Sequence, residues 1–318
     1  MRAVIPAAGV GKRLQPYTLE VPKVMISLAG KPLLGHILDA ISHSGLTSIS
    51  VIVGYLKEQV EEYVNDQYSH LRLDFPFQAE RKGLGHAVLT GLEDKEEDVL
   101  ILLGDTIFDV DFDAFRKRDQ NGIAVVRVDD PHRFGIAEVD ASTRVMRLVE
   151  KPDQPQSDLA LAGMYYIKDQ RVLKAALEKL VRDNITTRGE YQLTDGLQLM
   201  IEQGETIEAV EINGWYDCGT EDSILESHQF LLEQQKSNMY DQAVGVIPPV
   251  FIHPTAQIQN SQIGPNVTLD AGVTVRNSKI VDSIIGEDSV IEGQNLKHTL
   301  LAQGSYFEGD QLKKIERT

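Results

Sequence analysis

A loop near the amino terminus holds the residues of this chain best suited to bind phosphate. It spans Pro6–Pro16 (PAAGVGKRLQP) and follows the apolar run Ala3–Ile5, which predicts a strand. Small residues and glycines let backbone N–H groups come close to a ligand, and Lys12, Arg13 and Lys23 add positive charge. We therefore expect a polyphosphate cradle at the carboxyl end of a strand, and hence a nucleotide ligand. Taken alone, the loop is also compatible with a glycine turn that carries solvated charges.

Two common phosphate motifs do not fit this loop. A Walker A motif needs glycine where the chain has Pro6, and Ser or Thr after Lys12, where it has Arg13. A dinucleotide-binding fingerprint needs a third small residue where Leu14 stands. The loop therefore predicts phosphate binding of another kind.

Two aspartates are candidates for holding a divalent cation beside a nucleotide. Asp105 follows the apolar run Leu100–Leu103, and Asp217 follows Trp215-Tyr216 and lies just before a glycine turn. Carboxylates at two strand ends can share one Mg²⁺ and hold it against nucleotide phosphates. Each aspartate taken alone also fits an ordinary turn or helix cap.

Two further motifs have the chemistry to recognise a sugar phosphate and a base. Glu150-Lys151-Pro152 ends a predicted strand and presents a carboxylate beside an ammonium group, which suits a ligand with hydroxyls and phosphate. A surface ion pair is the alternative there. Gln78, followed by Gly83, offers an amide and open backbone for the edge of a base, although a loop before a helix has the same composition. None of the histidines is paired with a plausible nucleophile, so histidine-based covalent catalysis has no support.

Strands and helices alternate over the first part of the chain, and this alternation predicts a mostly parallel sheet covered on both faces. Ligands of such sheets bind at the carboxyl ends of the strands. The predicted strands are Ser48–Val53, Val99–Leu103 and Ile123–Val128, and the predicted helices are Leu33–Ser44, Leu56–Tyr68, Phe112–Arg118 and Arg171–Leu180.

The next strands follow one another without a long helix between them. They are Gly135–Val139, Arg144–Val149 and Ala160–Ile167, and we expect them to form a smaller mixed-sheet insertion as the other wall of a cleft. A closing helix is predicted over Thr220–Gln235, with Thr220 as its N-cap.

From about residue 250 the pattern changes to that of hexapeptide repeats, which predicts a short parallel β-helix. Gly, Pro, Asn and Asp fill the turns, and apolar residues recur in steps of five or six at Ile252, Ile258, Ile263, Leu269, Val275, Ile280, Ile285, Ile291 and Leu296. The expected domains are a catalytic domain over 1–236, a linker over 237–249 with its centre at Ser237–Ala243, and a β-helix domain over 250–318.

The composition of the 318 residues excludes several classes of protein. No apolar run approaches the roughly 20 residues that a membrane span needs. A net charge of −17 argues against nucleic acid as a partner, because phosphate backbones are bound by positive surfaces. Cys218 is the only cysteine, which excludes an internal disulfide and predicts a reducing cytoplasm. We expect Cys218 to be a small buried filler and not a nucleophile.

Taken together, these motifs resemble the sugar-nucleotide pyrophosphorylases, the nucleotidylyltransferases that make nucleoside-diphosphate sugars. The resemblance runs from Arg2 to about Gln235 and is greatest for the long form of the glucose-1-phosphate thymidylyltransferase group, which carries a C-terminal left-handed β-helix. It implies a Rossmann-like, mostly parallel mixed sheet. The motifs are AAGVGKRLQPYT with Pro22-Lys23, Gln78 with GLGHA, LLGD, Phe134-Gly135, EKP, AGMY, GEYQLTD and WYDCGT.

The resemblance implies a role for each candidate residue. The implied nucleotide site consists of Ala8, Gly9, Gly11, Arg13, Gln78, Gly83 and Asp105. The implied sugar site consists of Gly135, Glu150, Lys151, Tyr165 and Trp215. Arg13, Lys23 and Lys151 would contact the phosphates at the reacting centre, and Asp105 and Asp217 would hold Mg²⁺.

The implied reaction couples a hexose-1-phosphate, most simply glucose-1-phosphate, to dTTP or UTP and releases pyrophosphate. Lys12 stands where the family usually has Ser or Thr, and Thr106 stands where Asn is common among thymidylyltransferases. These two departures leave the identity of the nucleotide and of the sugar open. We expect a cytoplasmic homo-oligomer, with the β-helix as an assembly surface. The alternatives are a regulatory subunit that binds sugar nucleotides without turnover, and a bifunctional enzyme with acyltransferase activity on the β-helix.

Overall fold

The computed structural model of this chain describes residues 1–235, 245–309 and 311–314. They form two compact units, the first made of Met1–Val10 and Ile37–Trp215 and the second of Gly11–His36 and Tyr216–Thr318. The predicted linker segment Ser237–Ala243 lies outside the described residues. At the end of the predicted linker, Ile247 N already donates to Ile263 O at 2.8 Å, as in a coil of the β-helix. The predicted domain boundaries stay a prediction.

Over the described residues 1–235 the chain forms thirteen strands and seven α-helices. The strands are β1 (Arg2–Pro6), β2 (Ser27–Leu28), β3 (Lys31–Pro32), β4 (Ser48–Ile52), β5 (Arg72–Asp74), β6 (Val99–Leu102), β7 (Thr106–Asp109), β8 (Asn121–Arg127), β9 (Gly135–Val139), β10 (Val145–Glu150), β11 (Leu159–Ile167), β12 (Ile207–Glu211) and β13 (Gly214–Asp217). The helices are α1 (Leu33–His43), α2 (Lys57–Gln67), α3 (Leu84–Gly91), α4 (Phe112–Arg116), α5 (Gln170–Arg182), α6 (Leu193–Glu202) and α7 (Glu221–Gln234).

The first unit is built on one nine-stranded mixed sheet. Its order is β10-β9-β11-β6-β1-β4-β5, and β8 pairs with both β11 and β12. Strand β1 runs parallel to β4 and β6, whereas β11 runs antiparallel to β6, β8 and β9. The predicted α/β class with a mostly parallel centre is confirmed.

The expectation of a separate insertion sheet is wrong. Strands β9, β10 and β11 extend the main sheet instead of forming a smaller one. The reason is the length of β11, which pairs with β8 on both sides of a bulge, with β6 near its carboxyl end and with β9 near its start. A strand of this length, buried along all its residues, joins both groups of strands into one sheet.

Helices α3, α5 and α6 cover this sheet and pack on one another through buried apolar side chains. Leu173 and Leu177 of α5 and Leu197 of α6 are fully or almost fully buried. Of these helices only α5 was predicted. The glycines at the start of α3 and the polar start of α6 hide the helical periodicity of apolar residues in both segments.

The second unit contains the β2–β3 pair, helix α7 and twelve short strands in three sheets. Helix α7 is N-capped by Thr220, as predicted, in a capping box with Ser223. The strands are β14 (Val250–Ile252), β15 (Gln257–Gln259), β16 (Gln262–Ile263), β17 (Val267–Leu269), β18 (Thr274–Arg276), β19 (Lys279–Val281), β20 (Ser283–Ile285), β21 (Val290–Glu292), β22 (Asn295–Lys297), β23 (Leu300–Leu301), β24 (Ser305–Glu308) and β25 (Gln311–Lys314).

Parallel pairing between successive coils makes this region a β-helix. From β14 to β21 each strand pairs with the third strand after it, as β14 does with β17 and β17 with β20, whereas the last strand, β25, pairs antiparallel with β24. The predicted apolar residues fall on nine successive strands, β14 to β22, and most are buried between the sheets. The prediction of a parallel β-helix is therefore confirmed. Among the described residues, no helix has the length and the apolar character needed to cross a membrane.

Truncating Leu197 should destabilise the first unit, because this side chain is 0% exposed in the core. Leu197→Ala should lower the free energy of unfolding by about 2–5 kcal/mol. Met146→Ala, at a residue that is 54% exposed, should change it by less than about 0.5 kcal/mol. Urea unfolding followed by the emission of Trp215, the single tryptophan and a residue of this unit, measures both variants. Equal losses would contradict this assignment of the core.

Candidate functional site

The carboxyl ends of β1, β4 and β6 meet at one edge of the sheet. Ala7 N donates to Ile52 O at 2.8 Å, and Gly104 N donates to Pro6 O at 3.2 Å. A Cβ added at Gly104 would lie 2.7 Å from the same carbonyl oxygen, so the backbones pack closely here. Asp105 follows directly after this contact, and the structure thus brings the start of the phosphate loop and the predicted metal ligand to the same edge.

Gln78 and Gly83, predicted together, lie in contact. The Gln78 side chain is 6% exposed, and its Nε2 donates to Gly83 O at 3.3 Å and lies 3.2 Å from His86 Nδ1. His86 was not predicted, although it lies within the GLGHA motif. Burial lowers the pKa of His86, and the nearby Lys82 lowers it further, which favours the neutral imidazole.

Gly83 occupies a position that no other residue fits. Its φ is +110°, and an added Cβ would lie 2.6 Å from Tyr191 O and 2.9 Å from Tyr191 N. Gly85 N donates to the same Tyr191 carbonyl at 2.8 Å. The GLGHA and GEYQLTD motifs are therefore packed against each other through their backbones.

Glu150, Lys151 and Gly135 also come together, at the end of β10. Glu150 is the register partner of Gly135, and Lys151 N donates to Phe134 O at 3.0 Å. Lys151 Nζ lies 3.4 Å from Glu150 Oε1, so the ion pair considered from the sequence exists. The Lys151 side chain is 42% exposed, which leaves the ammonium group accessible to a ligand.

Three residues of the GEYQLTD motif and its flank complete this cluster. Thr194 Oγ1 donates to Glu150 Oε2 at 2.7 Å, and Arg188 donates to Lys151 O at 3.0 Å. Burial raises the pKa of the Asp195 carboxyl, and the charge of Glu150 raises it further. Thr194 and Asp195 belong to the GEYQLTD motif, and Arg188 directly precedes it. The motif was the only sequence signal for these residues, and it did not show which other segment of the chain they contact.

A bulge in β11 orients Tyr165 next to this cluster. Gly163 has a φ of +91°, and its carbonyl accepts from Leu103 N at 3.0 Å. The pairing of β11 with β8 shifts register across this point, as at a β-bulge. Tyr165 is buried, and both burial and the charge of Glu150 raise the pKa of its phenol. The remaining predicted sugar-site residue, Trp215, packs edge-on against Phe134 with ring centroids 4.9 Å apart.

In the second unit, Gly11 and Lys23 are packed together. Gly11 has a φ of +67°, and an added Cβ would lie 3.0 Å from Lys23 Cβ. Thr18 Oγ1 donates to Gly11 O at 2.8 Å and fixes the turn. Leu14 is buried while its neighbour Arg13 is exposed, so the turn is anchored by an apolar residue and presents a cation.

Asp217 and Cys218 precede helix α7 in the same unit. A Cβ at Gly219 would lie 2.7 Å from Asp217 Oδ2, so glycine leaves space for this carboxylate. Cys218 is 1% exposed, and its Sγ lies 3.2 Å from Ser227 Oγ. This burial confirms the prediction that Cys218 is a filler.

The family of the chain follows from its match to a sequence profile. The profile described as nucleotidyl transferase matches residues 2–234. The chain belongs to the nucleotidyl transferase family. The match begins and ends within two residues of the segment over which the sequence resembles the sugar-nucleotide pyrophosphorylases.

Individual relatives of this nucleotidyl transferase match along most of their own length. It is 32% identical to the bifunctional protein GlmU of Methanocaldococcus jannaschii, over 91% of this chain and 78% of the relative. It is 34% identical to the UTP–glucose-1-phosphate uridylyltransferase AglF of Haloferax volcanii, over 74% of this chain and 98% of the relative. It is 30% identical to a glucose-1-phosphate thymidylyltransferase of Streptomyces griseus, over 99% and 90%.

A solved structure shares the fold. A Bacillus anthracis protein assigned as a glucose-1-phosphate thymidylyltransferase superposes with a TM-score of 0.63 at 25% sequence identity. The superposition covers 75% of this chain and 97% of the other. The fold of this nucleotidyl transferase is therefore that of its family.

Two carboxylates, Asp105 in the first unit and Asp217 in the second, are the predicted ligands of a divalent cation. Over 1–235, 245–309 and 311–314, no group of three or more His, Cys, Asp and Glu side chains could hold a metal ion by itself. Mg²⁺ differs from structural metals in this respect, because it is bound through one or two carboxylates together with water and substrate phosphates. Asp105 and Asp217 are donors of this kind.

Two glycines with positive φ make a matched pair for testing the packing at Gly83. Gly83→Ala should destabilise the protein more than Gly189→Ala, because both force alanine into an unfavourable backbone region but only Gly83 faces Tyr191 backbone atoms. At Gly189 nothing lies within 4 Å, and the cost should be about 1–2 kcal/mol. Urea unfolding curves measure the difference. Equal destabilisation would show that backbone conformation alone explains the glycine at position 83.

Proposed function

We propose that this nucleotidyl transferase couples a hexose-1-phosphate, with glucose-1-phosphate as the first candidate, to dTTP or UTP and releases pyrophosphate. The observation that carries the proposal is the match with relatives named for these reactions. One is a thymidylyltransferase and another a uridylyltransferase, and the name of each contains glucose-1-phosphate. The thymidylyltransferase matches over 99% of this chain, β-helix included.

The cluster around Glu150 is the proposed sugar site. The Glu150 carboxylate, oriented by Thr194, accepts hydrogen bonds from sugar hydroxyls, and the missing side chain of Gly135 leaves room next to it. Lys151 carries the positive charge for the sugar phosphate. Tyr165 and Trp215 are the aromatic residues assigned to the same site.

The proposed nucleotide site uses the loop and the GLGHA motif. Ala8, Gly9 and Gly11 offer backbone N–H groups to the triphosphate. Gln78 and Gly83 read the base edge, and Arg13 binds the leaving pyrophosphate. Lys23 and Lys151 contact the phosphates that take part in bond formation and bond cleavage. Asp105 is also assigned to the nucleotide site.

The proposed reaction needs no general base. A phosphate oxygen of the sugar-1-phosphate attacks the α-phosphorus, the bond to the leaving pyrophosphate breaks, and the nucleophile is already an anion at neutral pH. The chain contributes positioning and positive charge from Arg13, Lys23 and Lys151. A divalent metal is general in this family; we assign Mg²⁺ to Asp105 and Asp217, where it supplies charge neutralisation on the phosphates when bound.

The decisive experiment is pyrophosphate release with Mg²⁺ from each pairing of dTTP, UTP, CTP, ATP and GTP with glucose-, galactose-, mannose- and N-acetylglucosamine-1-phosphate. We expect turnover with a pyrimidine triphosphate and glucose-1-phosphate. Folded protein that binds the substrates but releases no pyrophosphate would instead support the regulatory subunit.

Removing the Arg13 guanidinium should slow turnover by about 100-fold, because one charge contact to a phosphate in the transition state is typically worth that much. The control is Lys117→Ala, which removes one positive charge from a side chain that is 65% exposed and lies outside the loop, and it should change the rate far less. Steady-state rates at saturating substrates measure both. Similar losses would show that only the net charge of the protein matters.

Thr194→Val should weaken binding of the sugar phosphate, because the Glu150 carboxylate loses the donor that orients it. The KM for glucose-1-phosphate should rise about two- to tenfold, with the KM for the triphosphate unchanged. Thr206→Val is the control, since Thr206 lies outside this cluster. A rise in the triphosphate KM instead would contradict the assignment of Glu150 to the sugar.

An acyltransferase activity on the β-helix is the alternative function, because one relative, GlmU, is named a bifunctional protein. The described repeat region contains two histidines. His253 Nδ1 forms a hydrogen bond with Thr255 Oγ1 at 2.9 Å, and His298 Nε2 forms one with Asp222 Oδ1 at 3.0 Å. Release of free thiol from an acyl-CoA donor in the presence of a sugar-1-phosphate tests the acyltransferase. A cytoplasmic homo-oligomer remains our expectation, and light scattering of the whole chain determines the number of subunits.

A further inference from the structure

Directly after Lys23 the chain forms a tight hairpin from β2 and β3. The two residues between these strands, Ala29 and Gly30, have φ of +50° and +83°, as the two central residues of a type I′ turn require. At the base of the hairpin, Leu33 N donates to Ile26 O at 3.0 Å, and Ile26 N donates to Lys23 O at 3.2 Å. The hairpin and Lys23 are thus joined by consecutive backbone hydrogen bonds.

The tip of this hairpin is held by residues from far along the chain, within the same unit. The ring of Phe251 fills the space beside Gly30, where any Cβ would overlap it. Gln235 Nε2 donates to Ala29 O at 2.6 Å. The β-helix and the end of α7 therefore fix the turn from both sides.

Asp270 of the β-helix contacts the flank of the hairpin. Its Oδ1 accepts from Ser27 Oγ at 2.9 Å, across 243 residues of sequence. The carboxylate is only 7% exposed, and Asp270 N donates to Ile285 O at 3.1 Å, which ties it to the next coil. A rigid, buried acceptor therefore meets the segment that carries Lys23.

The same carboxyl also affects the first part of the loop. The Tyr17 side chain is buried, and the negative charges of Asp270 and Glu287 add to burial in raising the pKa of its phenol. The next residue, Thr18, holds the carbonyl of Gly11. Asp270 is thus linked to Lys23 through Ser27, and its charge also acts on Tyr17, the neighbour of Thr18.

A buried carboxyl is a costly choice for this position. Burial raises the pKa of Asp270 to about 7, and the charge of Glu287 raises it as well, whereas the Ser27 hydroxyl lowers it. The other titratable group facing it is the Tyr17 phenol. No partner described for it is a cation, so the ionised form costs stability that an apolar residue would not.

We propose that Asp270 is a positioning residue for nucleotide binding, through which the β-helix holds the segment Gly11–Lys23 in the conformation that binds the triphosphate. The inference rests on the proposed function of that segment. It assigns to the β-helix an indirect contribution to the reaction, made through residues that contact no substrate.

Three variants and one control test this role. Ser27→Ala removes only the hydroxyl and should fold normally, and Asp270→Leu removes the acceptor. Asp270→Asn keeps an oxygen that can accept from Ser27. Asp282→Asn is the control, because Asp282 accepts from Asn266 within the β-helix at 2.8 Å.

We expect Ser27→Ala and Asp270→Leu to raise the KM for the triphosphate about two- to tenfold, the effect of one lost hydrogen bond. The KM for glucose-1-phosphate should not change. Asp270→Asn at pH 6 and Asp282→Asn should match the wild type. A role in stability alone would lower the melting temperature without this split between the two KM values.

The pH dependence provides a second readout. Because the pKa of Asp270 is raised from 3.8 to about 7 on folding, the folded chain binds this proton more tightly than the unfolded chain. The contribution of Asp270 to wild-type stability should therefore be lost as the pH rises from about 4 to about 7. The melting temperature of Asp270→Asn relative to wild type should rise over the same window.

Each outcome bears on one hypothesis. Ser27→Ala and Asp270→Leu proteins that are folded and keep the wild-type KM for the triphosphate would overturn the positioning role and leave the proposed function intact. A wild-type chain that releases no pyrophosphate in any substrate pairing would overturn the proposed function, and this inference with it. Calorimetric titration of the variants with dTTP and with UTP separates loss of nucleotide binding from loss of turnover.

Discussion

The parallel pairing of β1 with β4 and β6 is the constraint on which the first unit depends. Parallel strands end at the same edge, so the loops that leave them must share the space there. Only small residues allow this, and Ala7, Ala8, Gly54 and Gly104 supply them. The close approach of the backbones at this edge fixes the position of Asp105, which follows Gly104.

The antiparallel side of the sheet places the second group of polar residues. Strand β11 changes partners along its length, and the bulge at Gly163 allows this by taking up a positive φ. Strand β10 then ends at Glu150, the register partner of Gly135 at the start of β9. A helix start at Thr194 supplies the donor to Glu150, so three chain segments determine the direction of one carboxylate.

Electrostatics explains why the cations of this chain are local. At a net charge of −17 the protein as a whole repels polyanions, so phosphate can be held only where cations are gathered or a metal intervenes. Lys12, Arg13 and Lys23 lie within one short stretch of the second unit. This stretch has little regular structure of its own, and it leads into the hairpin of β2 and β3, which Phe251 and Asp270 of the β-helix contact at Gly30 and Ser27.

Local features were predictable because they depend on neighbouring residues. The sequence alone determined the strand before Pro6–Pro16, the strand before Asp105, the Thr220 cap and the nine apolar positions of the β-helix, since periodicity and turn chemistry act over a few residues. The tertiary structure alone decided that β9 to β11 join the main sheet, that Thr194 contacts Glu150, and that Ser27 contacts Asp270. These contacts join segments far apart in sequence, and their free energy comes from strand pairing and packing of the whole unit, which no local pattern records.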